Sequence, residues 1–264
     1  MGTDPQIAAE LAIAEAVERF GEVGLQVAAY HGGVRIVHAY AGVADADSSR
    51  PIDQSTLFVV FSCAKAITAT VIHRLVEAGT LAYDEPIASW WPEFGANGKA
   101  HVTVRDVLSH RSGLDAIPET VQADYCTLSS AARVIEGASL AWPPGSTLRY
   151  HSLTFGSILG NLAVRATQRP WGTLVGDLAA LAGVTDFRFG LAPDDIADAP
   201  RLARHTVTRA FRPDEVAGAP TADALEGARG LVAFGENPHF LYGTGPGSNL
   251  ICTADALARV MASL

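Results

Sequence analysis

The run Leu57-Phe58-Val59-Val60-Phe61-Ser62-Cys63-Ala64-Lys65, and the stretch that follows it to Ala78, set the terms for the whole chain. Between 66 and 78 nearly every residue is apolar or small, with His73, Arg74 and Glu77 the ionisable exceptions. That pattern predicts a central core helix which the remaining elements must cover, and Gly79 supplies its stop.

Residues three apart lie one turn apart on one helix face, so the Lys65 amine can reach the Ser62 hydroxyl. The unpaired N–H groups at such a helix start can donate to a developing oxyanion. Nucleophile, base and one oxyanion donor thus fit within four residues. An ordinary lysine, with a pKa near 10.4, is only about 0.04% neutral at pH 7, so the amine must be perturbed; burial is the lever. The competing reading makes Ser62 an N-cap and Lys65 a snorkelling surface residue. With 15 serines and two lysines, Lys65 and Lys99, chance supplies roughly 0.1 Ser-x-x-Lys occurrences, so the context of the motif must decide.

At 264 residues and 48% hydrophobic content the chain can bury a substantial core in one domain of two lobes. A net charge of -9 argues against nucleic acid or an anionic membrane as partner. Cys63, Cys126 and Cys252 are an odd set without metal-ligand spacing, which predicts free thiols in a reducing compartment. Cys63 adjoins Ser62, but nothing turns it toward Lys65. Residues 7–20, punctuated by Glu10, Glu15, Glu18 and Arg19, read as an amphipathic helix rather than a signal peptide. No apolar run approaches a membrane span, and the expected location is cytoplasmic.

Further along, residues 24–30 and 34–40 read as strands joined through His31-Gly32-Gly33, a hairpin that needs further partners. Residues 42–53 read as a polar loop. Trp90-Trp91-Pro92-Glu93-Phe94 reads as a surface-to-core anchor. Thr103 caps a short helix that ends through Arg111-Ser112-Gly113-Leu114, and His110 reads as a structural histidine at its end. Pro143-Pro144-Gly145 starts an extended approach through Arg149-Tyr150-His151-Ser152 to an apolar helix over 153–167. Gly156 and Gly160 there would admit close packing, with the Ser62 helix as the expected neighbour. Residues 184–223 suggest an irregular excursion, 222–241 are ambiguous, and 247–264 read as a turn followed by a helix capped by Thr253.

Taken in order, Ser62-x-x-Lys65, the segment His101-Val102-Thr103-Val104-Arg105-Asp106-Val107-Leu108-Ser109-His110-Arg111-Ser112-Gly113-Leu114, and Pro144-Gly145 before Tyr150 resemble the serine β-lactamase-like superfamily. Within it, they are most similar to the class C β-lactamase-related esterases, the family VIII carboxylesterases. The resemblance implies Ser62 as nucleophile, with Lys65 and Tyr150 sharing proton transfer as a pair in which the first acceptor stays open. It also implies an α/β fold, an antiparallel sheet lobe at about 6–61 and a helical lobe at about 62–220 in a single domain over 1–264, with Ser62 at their interface.

Two departures refine that expectation. The second motif of the lactamases is usually Tyr-x-Asn, whereas this chain has Tyr150-His151-Ser152; loss of the amide favours an ester over a lactam. Ser152 and His151 are the expected substrate-binding residues, with helix-entry packing the leading role for His151. The third motif, a Lys/His/Trp-x-Gly strand, finds no match: Tyr242-Gly243-Thr244-Gly245 is followed by a turn and helix rather than a long alternating strand. The chain is therefore expected to stop before that segment, leaving an incomplete sheet, lowered activity and apolar surface open to self-association.

The leading expectation is a serine hydrolase cleaving a small-molecule ester without cofactor or metal. A β-lactamase or DD-peptidase-like enzyme, acyl transfer to another alcohol, and an inactive lactamase-fold binding protein remain open. Gly-x-Ser-x-Gly and His-Glu-x-x-His motifs are absent.

Overall fold

The structure, a computed structural model, describes residues 4–115, 127–191, 201–204, 230, 232–233 and 235–264. Cys126, most of the predicted excursion and much of the ambiguous 222–241 stretch lie outside these residues.

Helix α1 (Pro5–Phe20) starts on an Asp4 cap with Pro5 in its first turn and ends at left-handed Gly21. It packs on the hairpin of β1 (Gly24–His31) and β2 (Val34–Asp45), where Ile13 meets Val37 and Ala39. The hairpin turns at Gly32-Gly33, both with positive φ, which matches the right-handed strand twist. β2 runs five residues past the expected strand end at 40, into the segment expected to be loop. The reason is burial: Ala44, together with Ile52 and Ala203, forms a small apolar cluster beneath it. β3 (Arg50–Pro51) pairs with its end, completing an antiparallel sheet of order β1-β2-β3.

A second antiparallel sheet has the order β4-β6-β5, from Phe58–Val59, Leu250–Cys252 and Phe187–Phe189. Its central strand β6 is fully buried, which accounts for the expected "turn then helix" missing it: a three-residue apolar run carries no alternation to read. A cleft of about 480 Å³ lies between the two sheets, lined by Leu25, Val43, Ile52, Phe58 and Leu257 among others; Ser62 does not line it.

The helical lobe is built from α2 (Ala64–Glu77), α3 (Val104–Leu108), α4 (Leu128–Gly137), α5 (Thr154–Thr167) and α6 (Trp171–Ala182). The short α7 (Pro238–Leu241) precedes β6, and α8 (Ala254–Ala262), capped by Thr253 as expected, packs against β1 and α6. Thr103 and Asp106 form a reciprocal capping box on α3. Trp91 and Phe94 are fully buried, as the anchor reading expected. α2 buries Ala64, Lys65, Ile67, Thr68, Val71 and Ile72, while His73, Arg74 and Glu77 face solvent. It is thus covered on one side rather than all round. Among the described residues no helix is long and apolar enough to cross a membrane.

Among the described helices α5 is the most deeply buried, and it packs on α2 as expected. Its two glycines themselves face the segment 246–247: a Cβ on Gly156 would stand 1.9 Å from the Gly247 nitrogen, and one on Gly160 would stand 2.6 Å from Pro246 Cγ. Thr68 of α2 holds the same segment from the other side by donating its hydroxyl to the Pro246 carbonyl. Gly156→Ala is therefore expected to destabilise the fold by about 3 kcal/mol in urea unfolding, because the backbone at 247 has nowhere to move. Gly176→Ala, at an exposed position of α6 where a Cβ meets nothing within 4 Å, is expected to stabilise by about 0.5–1 kcal/mol.

Candidate active site

Strand β4 delivers the chain to the site. Val60 donates its N–H to Leu250 at 2.9 Å, and the next residue, Phe61, breaks the extended path with a φ of 42°, rare for a bulky side chain. Its ring stacks on Phe240 of α7 at 6.1 Å between centroids. A single 3-10 turn, Phe61–Cys63, then runs into α2, so Ser62 sits at the crown of a strand–turn–helix junction. Ser62 is exposed there, whereas Lys65 is only 7% exposed.

The Lys65 amine lies 3.2 Å from the Ser62 hydroxyl and 2.8 Å from the Gly247 carbonyl, to which it donates. It also sits 4.9 Å from the centre of the Tyr150 ring, a cation–π distance. Burial pushes the lysine below its ordinary range, and interaction with the Tyr150 phenol partly opposes that shift. A neutral amine with one N–H tied to Gly247 keeps a lone pair free to take a proton from Ser62. The arrangement can therefore run nucleophilic chemistry at the serine.

Tyr150 is half exposed, and the structure brings it together with Ser62 and Lys65. Ser152 is exposed in the turn before α5. His151 does not fit a substrate-binding role: it is fully buried, with Nε2 at 2.7 Å from the Ser112 hydroxyl and Nδ1 beside the Arg149 carbonyl. Both ring nitrogens are committed to the protein, so its part is the helix-entry packing.

Two contributors were given no part in the site by the sequence reading. Gly247, read only as a turn residue, supplies the carbonyl that holds Lys65. Its turn is set by Asn249, which is 1% exposed, accepts from Gly245 N–H and donates to the Phe240 and Gly243 carbonyls. This stretch is a turn and not a strand, in keeping with its rejection as a third motif. The second is His110, whose ring lies 4.9 Å from that of Tyr150. Its left-handed backbone, φ 59°, was the one local oddity that could have drawn attention to it, and it is visible only in three dimensions.

Cys63 is exposed and Cys252 buried; both are free thiols, and burial raises the pKa of Cys252 well above its usual range. Among the described residues no cluster of His, Cys, Asp or Glu is arranged to hold a metal ion.

Comparison with known proteins places this geometry. A family model described as beta-lactamase matches residues 12–264. The chain is 35% identical over 263 residues to the esterase/beta-lactamase LipL of Mycobacterium tuberculosis, covering 93% of this chain and 59% of LipL. Among solved structures it superimposes on a penicillin-binding protein homologue from Caulobacter crescentus with a TM-score of 0.78 and 29% identity, covering 99% of this chain and 70% of that one. A family VIII carboxylesterase gives a TM-score of 0.78 at 28% identity, covering 94% of this chain and 66% of the other. The chain thus spans about three-fifths of the length of LipL. With the strand–turn–helix serine, the buried lysine and a family match that runs from α1 to the last residue, this chain belongs to the beta-lactamase family and has its α/β, transpeptidase-like fold.

Proposed function

We propose that this protein is a serine hydrolase that cleaves carboxylic esters through an acyl-enzyme on Ser62. The observation that carries the reading is a buried lysine amine 3.2 Å from an exposed serine hydroxyl. In the proposed cycle the Ser62 oxygen attacks the ester carbonyl carbon while its proton passes to Lys65 or Tyr150. Collapse of the tetrahedral intermediate breaks the bond to the alcohol, which leaves with that proton. Water then attacks the acyl-enzyme by the same route in reverse. The N–H of Ser62, at the head of α2, is the proposed oxyanion donor.

An ester is preferred to a lactam because Ser152 stands where a lactamase carries asparagine, and because LipL is described in part, and the 28%-identical structure wholly, as an esterase. Penicillin recognition is the second reading, favoured by the Caulobacter homologue. The two free thiols among the described residues support a reducing, cytoplasmic setting.

Intact-mass labelling with a fluorophosphonate and with a penicillin tests both. Wild type is expected to gain one phosphonyl adduct that Ser62→Ala loses, with little or no penicilloyl adduct; a dominant penicilloyl adduct would turn the assignment to penicillin recognition. No adduct in a folded sample would remove the enzyme reading. Lys65→Ala and Tyr150→Phe are each expected to slow labelling by about 10²–10⁴, the range for a lost proton-transfer group.

The labelling rate should also depend on pH in a stated direction. Only the neutral amine accepts a proton, and burial holds Lys65 below its ordinary range. The rate is therefore expected to rise with pH through an apparent pKa below about 10.4 and then level off. A rate that is flat from pH 5 to 10 would show that Lys65 is not a titrating participant.

A further inference from the structure

We infer that the turn 109–114 after α3 is a clamp on the segment carrying Tyr150, with His110 as the positioning residue that holds the phenol over Lys65. The inference rests on the esterase reading of Ser62, Lys65 and Tyr150. Two of the three segments that carried the sequence resemblance prove to be stitched into one unit. Arg149 donates its N–H to the His110 carbonyl at 3.0 Å, and His151 donates its N–H to His110 Nδ1 at 3.1 Å. Tyr150, between them, is thus gripped on both sides by one residue. The His110 ring also lies 4.9 Å from Phe155 of α5, so the imidazole is wedged between the phenol and the core.

Behind it, His151 and Ser112 extend the clamp. The Arg149 carbonyl can only accept, so His151 Nδ1 carries the proton; Nε2 then accepts from the Ser112 hydroxyl, which in turn accepts from Leu114 N–H at 3.1 Å. His110 Nδ1 is likewise an acceptor, which puts its proton on Nε2. The His151 N–H requires an unprotonated His110 Nδ1, and a proton added there would break the bond between the two residues; the Ser112 hydroxyl fits a neutral His151 by donating to its Nε2.

The surroundings support neutrality. Burial, then His151 and the Lys65 charge, lower the pKa of His110 to about 4. Burial also lowers His151, against the pull of the Arg149 carbonyl and of Asp115, which is paired with Arg149 at 3.0 Å. Phe155 offers His110 no charge, and the Tyr150 ring covers its outer side.

Three variants and two readouts test the clamp. His110→Phe keeps an aromatic wedge but removes the acceptor, and is expected to slow fluorophosphonate labelling at Ser62 by about tenfold or more, and ester kcat with it, while KM stays put. His110→Asn offers Oδ1 to the His151 N–H and is expected to stay within about threefold of wild type. Equal labelling by His110→Phe and wild type, or equal loss in both variants, would overturn the clamp. If His110→Phe does not fold, Ser112→Ala reads the clamp from its far end: slower labelling supports it and an unchanged rate overturns it. Imidazole ¹⁵N shifts at pH 7 give a readout that needs no activity. Neutral Nε2–H His110 with neutral Nδ1–H His151 supports the clamp, and either opposite tautomer or a charged ring overturns it. A folded wild type that never labels would remove the esterase reading, yet the same shifts would still judge the clamp.

Stability should report it too. Between pH 6.5 and about 4 the unfolded chain takes up a proton at this position that folded His110 refuses, so the contribution is complete above that window and is lost as pH falls through it. Over those pH values the Tm of wild type is expected to fall more steeply than that of His110→Asn; parallel curves would mean that the ring is not held neutral.

Discussion

The burial of one amine organises this protein. Taking a lysine out of water is costly unless each N–H finds an acceptor, and among the described residues Lys65 meets the Gly247 carbonyl, the Ser62 hydroxyl and the face of Tyr150. The carbonyl must come from the far end of the chain, 182 residues away. To bring it there, 246–247 is pressed against α5 at two glycines and tied to α2 through Thr68. Asn249 shapes the turn, and β6 then inserts between β4 and β5. The stretch 246–252 is in this sense the second half of the lysine's coordination.

The second lysine shows what burial means without a site. Lys99 is also fully buried, yet it donates to the Glu136 and Ala138 carbonyls at the end of α4 and lies over Phe94. There the ammonium answers unpaired helix carbonyls, a structural use of the same chemistry. Burial lowers the pKa of both lysines, so that shift alone does not mark function. The difference is the neighbour: a hydroxyl that can lose a proton beside Lys65, and carbonyls that cannot beside Lys99.

This contrast explains what the sequence could and could not disclose. Ser62, Lys65, the hairpin, the capped α3 and the Thr253 cap were legible because each is written within a few residues, as spacing, capping or turn chemistry. The long β2 and the three-residue β5 and β6 were not, since their burial depends on partners more than about sixty residues away and short apolar runs carry no period. His151 was half read: its place before α5 announced packing, but only the structure shows Ser112 and the Arg149 carbonyl occupying both nitrogens. Gly247 was invisible as a ligand, because a carbonyl acceptor carries no side-chain signature.

The same logic bears on where precision is held. Ser62 stands on a strained junction, with Phe61 at positive φ immediately before it, and such a conformation persists only where surrounding contacts outweigh it. On one side those contacts are Phe240 stacking on Phe61 and the ladder of β4 on β6. On the other, Lys65 is pinned by Gly247 and Tyr150 is gripped by the 109–114 turn. Each of the three site residues is thus held by a different, distant part of the chain. The serine, lysine and tyrosine meet only when the strand ladder, the 246–247 turn and the histidine turn are all in place, so assembly of the site depends on completion of the fold.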